Sequence, residues 1–325
     1  SSIPSELCNL ILVGIDSTDS QKTLATASLA APALAAKPAA SETLAASFYG
    51  TLTSGQKQVM AFPFNHALRS EVNNNWRITK ARVGKTFTAG QQQMIKDIFL
   101  GLHSESYAAK VFKQVEHDHG PLGFGGCSVA VFGEPGKDGY EFVLTGRHVT
   151  RRCDGDSVKG AAFGGPIFYG HAAAGFNEPA DHRGNIYWYQ AQRANKLFQA
   201  LDGKQRKQAL LGTARPEQKT ATVKVSGRKE GLAGLPVSEM SADQKGLFLK
   251  VLSDVLAPFR PADVAESMKL ITAGGTDHLH LSYYKNHDVG SDGVWDVWQI
   301  EGPSMVWYFR GDPHVHTWVN IKAPA

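Results

Sequence analysis

The chain has 325 residues, enough for two average domains, and its 42% hydrophobic, 20% charged and 10% aromatic content is globular, which excludes a disordered, fibrous or coiled-coil protein. A formal net charge of +4, from 34 basic and 30 acidic residues mixed along the chain, is too weak for a nucleic-acid footprint. No stretch approaches the roughly 18 apolar residues needed to span a bilayer.

In chain order, residues 1–47 come first and stand apart. The run TLATASLAAPALAAKPAAS has the weakly apolar core and the A-x-A ending (Ala33, Leu34, Ala35) of an export signal peptide, and it looks like the twin-arginine type. Ser20, Gln21 and Lys22 stand where the arginine pair belongs. The expectation is a secreted or periplasmic protein; the alternative is a flexible alanine-rich linker. With 1–47 set aside, 48–325 reads as a single domain.

Four segments then open alike: TSGQ at Thr53, TAGQ at Thr88, DGKQ at Asp202 and SADQ at Ser241. Each sets a Ser, Thr or Asp three residues before a Gln, the capping-box arrangement that starts a helix. Apolar residues follow at helical spacing, as in Met94, Ile98 and Leu102. The recurrence reads as common helix chemistry and not as a solenoid. Further helices are expected over about 106–116, 185–201 and 262–271.

Strand patterns form two clusters. CSVAVFG (127–133) and YEFVLTG (140–146) flank the turn-rich EPGKDG and read as a hairpin, with SVKGAAF (157–163) as a third strand. The basic stretches Arg147 to Arg152 and Lys204 to Lys207 read as solvated surface. HLHLSYY (278–284), VWDVWQIEG (294–302), SMVWYFRG (304–311) and HVHTWVNI (314–321) read as a meander. Without βαβ alternation, the class is α+β: antiparallel sheet or sheets from two strand clusters, covered by helices and sharing one core. GFGG near Gly123 runs into a strand, not a helix, so no phosphate loop is expected.

Cys8, Cys127 and Cys153 fit no zinc spacing; Cys127 and Cys153 are either a pair across the sheet or two buried thiols. Cys153 beside Arg151 and Arg152 lacks an evident base. The histidines carry more. His314 and His316 alternate in a strand, so both rings project from one face and can chelate one ion. His278 and His280 have the same spacing, His148 ends a strand, and His171 follows a Gly-Pro turn. His117 and His119, in EHDHG, read as solvated. On these residues alone, a metal site and a hydrogen-bonded cluster under an aromatic layer of Trp295, Trp298, Trp307 and Trp318 both stay open.

The order QKQVMAFPF, Trp76-Arg77, TAGQQQMIKDIF, GRHV, GPIFYG, LDGKQRKQALL, IEGPSMVWYF and DPHVHTW, over about 52–320, resembles the bacterial family called domain of unknown function 3500. The resemblance implies an exported bacterial protein. The family's Gly-His-His-Leu corresponds to Gly146, Arg147, His148 and Val149, keeping one histidine, and its Asn-His-x-His to Pro313, His314, Val315 and His316, keeping both. A three-histidine site of His148, His314 and His316 is therefore expected, with His171 and His278 in reserve as a fourth ligand. The expected cofactor is a divalent metal ion: zinc, copper or iron. An open coordination position favours a metal-dependent hydrolase or oxidoreductase on a small-molecule or polymeric extracellular substrate, with Glu301 and Asp312 as acid-base candidates. The alternative is a non-catalytic carbohydrate- or peptide-binding protein with an aromatic-lined groove at Trp298, Trp307 and Trp318. The metal reading requires rings about 166 positions apart to converge.

Overall fold

All four capping boxes form in the computed structural model, which describes residues 40–137, 139–171, 185–285, 287–288 and 291–324. Thr53, Thr88, Asp202 and Ser241 each accept from the backbone N–H three residues on, and the Gln there accepts from the cap N–H. The boxes also pair. Gln56 and Gln91, 35 residues apart, exchange amide hydrogen bonds of 2.8 and 3.1 Å. Gln205 and Gln244, 39 apart, do the same at 3.0 and 2.8 Å. Because Gln91 is buried and also donates to Thr51 O, Gln91→Ala strips several partners at once. A loss of about 2–3 kcal/mol in urea unfolding is expected, against under about 0.5 for the exposed Gln93→Ala; equal losses would deny the paired boxes a structural role.

The first half runs α1 (Ser41–Gly50), α2 (Ser54–Met60), β1 (Ala61–Phe62), α3 (Val83–Thr86), α4 (Ala89–Gly101), α5 (Glu105–Asp118), β2 (Ser128–Gly133), β3 (Tyr140–Gly146), β4 (Val149–Cys153) and β5 (Ile167–His171). The second runs α6 (Trp188–Ala200), α7 (Gly203–Ala209), β6 (Leu210–Leu211), β7 (Leu235–Pro236), α8 (Ala242–Leu256), α9 (Pro261–Gly274), β8 (His280–Tyr284), β9 (Val297–Glu301), β10 (Met305–Arg310) and β11 (Val315–Ile321). The strands make one mostly antiparallel sheet, β1-β2-β3-β4-β5-β11-β10-β9-β8-β6, with β7 on β8, and the class is α+β.

The halves repeat one another. A short strand after the first box pairs parallel in each, β1 with β2 and β6 with β8, and the antiparallel β5–β11 pair joins them at the centre. Where α4 and α8 end, Ser104 N–H donates to Pro258 O at 3.0 Å and Arg260 N–H to Leu102 O at 3.3 Å, a reciprocal pair. The recurring boxes thus mark a duplication, which the sequence pattern left as shared helix chemistry.

One sheet face packs Val131, Leu144, Trp307 and Phe309 against Ile95, Phe99, Leu252 and Val255 of the helices. The other packs Phe168, Tyr308 and Trp318 against Val72, Val223 and Val225. Trp298 and Trp307 are 0% exposed and Trp318 is 1% exposed. These indoles fill the core, so the expected aromatic groove does not form around them.

Other expectations need correcting. The third strand is Val149–Cys153, not 157–163, because the chain reverses immediately after Gly146. Residues 157–163 instead fold onto Asp154, whose carboxylate accepts from Val158 N–H at 2.7 Å, and end in a 3-10 turn. Arg151 and Arg152 are buried, not solvated: Arg151 donates to Phe168 O at 2.7 Å, and Arg152 pairs with Glu141 at 2.7 Å. Cys127 and Cys153 are free buried thiols with β3 between their strands. Helix α1 begins inside the segment set aside, with Ala45 and Phe48 in the core. Cys8 and all of the export-like run except its last two residues, Ala40 and Ser41, lie outside the described residues. No helix among the described residues is long and apolar enough to cross a membrane.

Candidate metal centre

His148 sits in the two-residue turn between β3 and β4, where Gly146 pairs with Val149. Its φ is 57°, a left-handed conformation that costs a non-glycine residue roughly 1–2 kcal/mol. The backbone is held there by His148 N–H donating to Asn74 O at 2.8 Å and Gly170 N–H donating to His148 O at 3.2 Å. Strand β5, which contains Gly170, lies between β4 and β11. The turn therefore overlies the start of β11, where His316 registers with Gly170.

The three rings lie together. The His148 centroid is 5.0 Å from both His314 and His316, and those two are 4.6 Å apart. One nitrogen from each lies within 4.8 Å of the others. Three nitrogens on one zinc, each at about 2.0–2.1 Å, stand about 3.3–3.6 Å from one another, so closure needs the rings to approach by up to about 1.5 Å.

Two of the rings are aimed from behind. His148 Nδ1 lies 2.7 Å from Asp118 Oδ2 at the end of α5, which leaves Nε2 to face the site. His316 Nδ1 lies 2.9 Å from Glu217 Oε2, and Glu217 also accepts from Arg310 Nε at 2.8 Å and Trp318 Nε1 at 3.0 Å. A carboxylate behind an imidazole fixes its tautomer and orientation and raises its basicity, the usual support of a metal-binding histidine. His314 Nε2 and His316 Nε2 are 2.9 Å apart, a distance that suits one N–H···N hydrogen bond or two lone pairs turned to a shared cation.

The electrostatics keep the donors neutral. Burial pushes His314 down to about 3, helped by the neighbouring His316, His148 and Arg310. Burial lowers His316 to about 4, against the opposing pull of its Glu217 hydrogen bond. Burial raises Asp118 and Glu217, but hydrogen bonds from His148 and His171 hold Asp118 at about 2, and His316 with Arg310 holds Glu217 at about 2. At neutral pH the centre is two neutral imidazoles with ionised carboxylates behind the cluster, a donor set that fits zinc, copper or iron.

The other site expectations fall elsewhere. His171 registers with Val315, between the two β11 histidines, so alternation turns it to the opposite sheet face from His316. It approaches Asp118 Oδ1 at 3.7 Å instead, behind His148. His278 is in a 3-10 turn before β8, not on a strand, so the His278–His280 same-face pair does not form. Three strand positions separate β8 from β11, roughly 14 Å. Glu301 is level with Asn320 through β10, roughly 16 Å from His316, and pairs with Arg215. The Asp312 carboxylate is engaged by His287 Nδ1 at 3.0 Å. His119, expected to be solvated, is locked: its Nδ1–H donates to Val115 O at 2.7 Å, and its Nε2 accepts Arg147 N–H at 3.0 Å.

Sequence reasoning missed Asp118 and Glu217. Asp118 stands between two noted histidines in EHDHG, at the helix end nearest the GRHV turn; Glu217, in a loop, carries no local signal. The duplication sharpens the picture. The counterpart of the Asp118–His148 contact is Gly274 against Ser304, where a Cβ on Gly274 would come within 2.5 Å of Ser304 Oγ. One half carries the carboxylate–imidazole pair, and the other closes the same corner with the smallest residues.

No curated protein and no solved structure matches the chain. A family model described as "Protein of unknown function (DUF3500)" matches residues 35–322, a span that holds all three histidines and both supporting carboxylates, and the chain belongs to that family.

Proposed function

We propose that the protein is a metal-dependent enzyme that holds one divalent zinc, copper or iron ion through His148, His314 and His316. The observation that carries this reading is the convergence of three histidine nitrogens within 4.8 Å, with Asp118 and Glu217 placed behind two of the rings. Hydrogen-bonded core histidines need no common focus; ligands do. Three protein ligands leave a coordination position open, the pattern of catalytic rather than closed structural sites. Zinc there would activate water for hydrolysis, whereas copper or iron would supply oxidation chemistry. The chain's own part is to hold the donors neutral and aimed. We place this activity outside the cytoplasm, on the strength of the alanine-rich export-like run within 1–47.

Elemental analysis after purification without chelators tests the reading. About one zinc, copper or iron ion per chain is expected, with none in a His314→Ala, His316→Ala double variant. A protein that takes up none of these ions in equilibrium dialysis refutes the proposal.

A further inference from the structure

A cavity of about 430 Å³ opens beside the candidate centre, lined among others by Asn75, Trp76, Arg77, Asp118, His119 and Arg147. Asp118 is the carboxylate on His148, and Arg147 is the residue before it, so cavity and centre share a wall. The connection is also through the backbone. Asn75 bridges to Arg147, Trp76 N–H donates to Gly146 O at 3.3 Å, and Asn74 O holds His148 N–H.

The charges on this wall are unbalanced. Arg69, Arg152, Arg215, Arg260 and Arg310 each pair with a carboxylate. Arg77 and Arg147 make no ion pair among the described residues, are both exposed, and flank the one cavity. The anion in the wall, Asp118, is already engaged by His148 and His171. His119 adds no charge, since its two nitrogens are committed to Val115 and Arg147 backbone atoms. Trp76, also in this wall, is half-buried against the apolar cluster of Ile78, Phe132 and Val143 and is fixed by its Nε1–H donating to Thr150 Oγ1 at 3.0 Å.

We infer that this cavity recognises a small aromatic carboxylate, its carboxylate on Arg77 and Arg147 and its ring against Trp76. Guanidinium groups bind carboxylates through paired, charge-assisted hydrogen bonds, and indole faces take planar rings. The anion recognition stands on the cavity alone; that the ligand is the substrate rests on the metal-centre reading, because only the shared wall brings it to the histidines.

Calorimetric titration of the full chain with benzoate and with neutral benzamide, each with chelator and again with zinc, tests the inference. Saturable benzoate binding with Kd near or below about 1 mM is expected in both states, a reasonable affinity for so small a ligand. Benzamide should bind at least about ten-fold more weakly, and an Arg77→Ala, Arg147→Ala double variant should lose at least about ten-fold for benzoate. Both arginines are exposed, so the variant should keep its fold and its metal content. Absent benzoate binding, equal binding of benzamide, or full binding by the double variant overturns the inference. The two readings fail separately: a chain that binds benzoate but no metal sinks the centre, and one that binds metal but not benzoate sinks the substrate class.

Discussion

His148→Asn lowers metal affinity by roughly 100- to 1000-fold, while Asp118→Asn and Glu217→Gln each lower it by about 10- to 100-fold. The first figure follows from structural zinc sites, where about 10–16 kcal/mol is shared among four ligands, so one ligand is worth roughly 2.5–4 kcal/mol. The second is the usual effect of removing an outer partner. Asparagine is the replacement of choice at 148 because the position has φ 57°, a conformation asparagine tolerates far better than alanine does. It removes the imidazole without adding backbone strain. Competition titration against a chromophoric chelator reads all three variants. Wild-type affinity in His148→Asn would place the ion elsewhere. An Asp118→Asn variant as weak as His148→Asn would instead make the carboxylate a ligand in its own right.

This ordering of effects reflects what the sequence made legible. His314 and His316 were readable because their spacing matches the strand period and β11 forms where the alternation places it. His148 was readable only with the family resemblance, since its partners lie across a sheet whose order no local pattern specifies. The join depends on β5, a five-residue strand that its Gly-Pro context disguised as a turn. His171 shows the cost of missing that strand: once β5 pairs with β11, alternation sends its ring behind Asp118 and away from His316.

Other features stayed hidden for reasons of charge and distance. Arg151 and Arg152 read as solvated because burying guanidinium groups is costly, yet Glu141 and backbone carbonyls satisfy them inside the sheet. Glu217 reaches His316 across 99 positions, and nothing near Glu217 announces that contact. The capping boxes were legible individually. Their pairing was not, because it lies in amide contacts between boxes and not within any one of them.

The metal-free protein loses stability as the pH falls from about 6.5 to about 4.5, more steeply than a His314→Gln, His316→Gln variant does. The cause is the folded state's resistance to protonation at these rings. Burial comes first for both: it lowers His314 to about 3, with the positive neighbours adding to it, and it lowers His316 to about 4 despite Glu217. In the unfolded chain both histidines take up protons near their ordinary value of 6.5. The folded-state values are depressed, so their stabilising contribution is complete above about 6.5 and is lost as the pH falls toward the folded values. Once both unfolded rings are protonated and neither folded ring is, the unfolded state holds two extra protons. The slope from this pair then approaches about 2.7 kcal/mol per pH unit, about 1.4 for each ring. Asp118 and Glu217, held at about 2 in the folded state against ordinary values of 3.8 and 4.5, add to the slope only toward the acid end of this window, so the histidine difference is read most cleanly between pH 6.5 and about 5.5. Urea unfolding of both proteins at half-unit steps, with chelator throughout, gives the difference directly. Parallel stability curves from pH 6.5 to 4.5 would mean that the folded protein admits protons to the cluster as readily as the unfolded chain does, and the picture of a buried, neutral, ligand-ready pair would have to be abandoned.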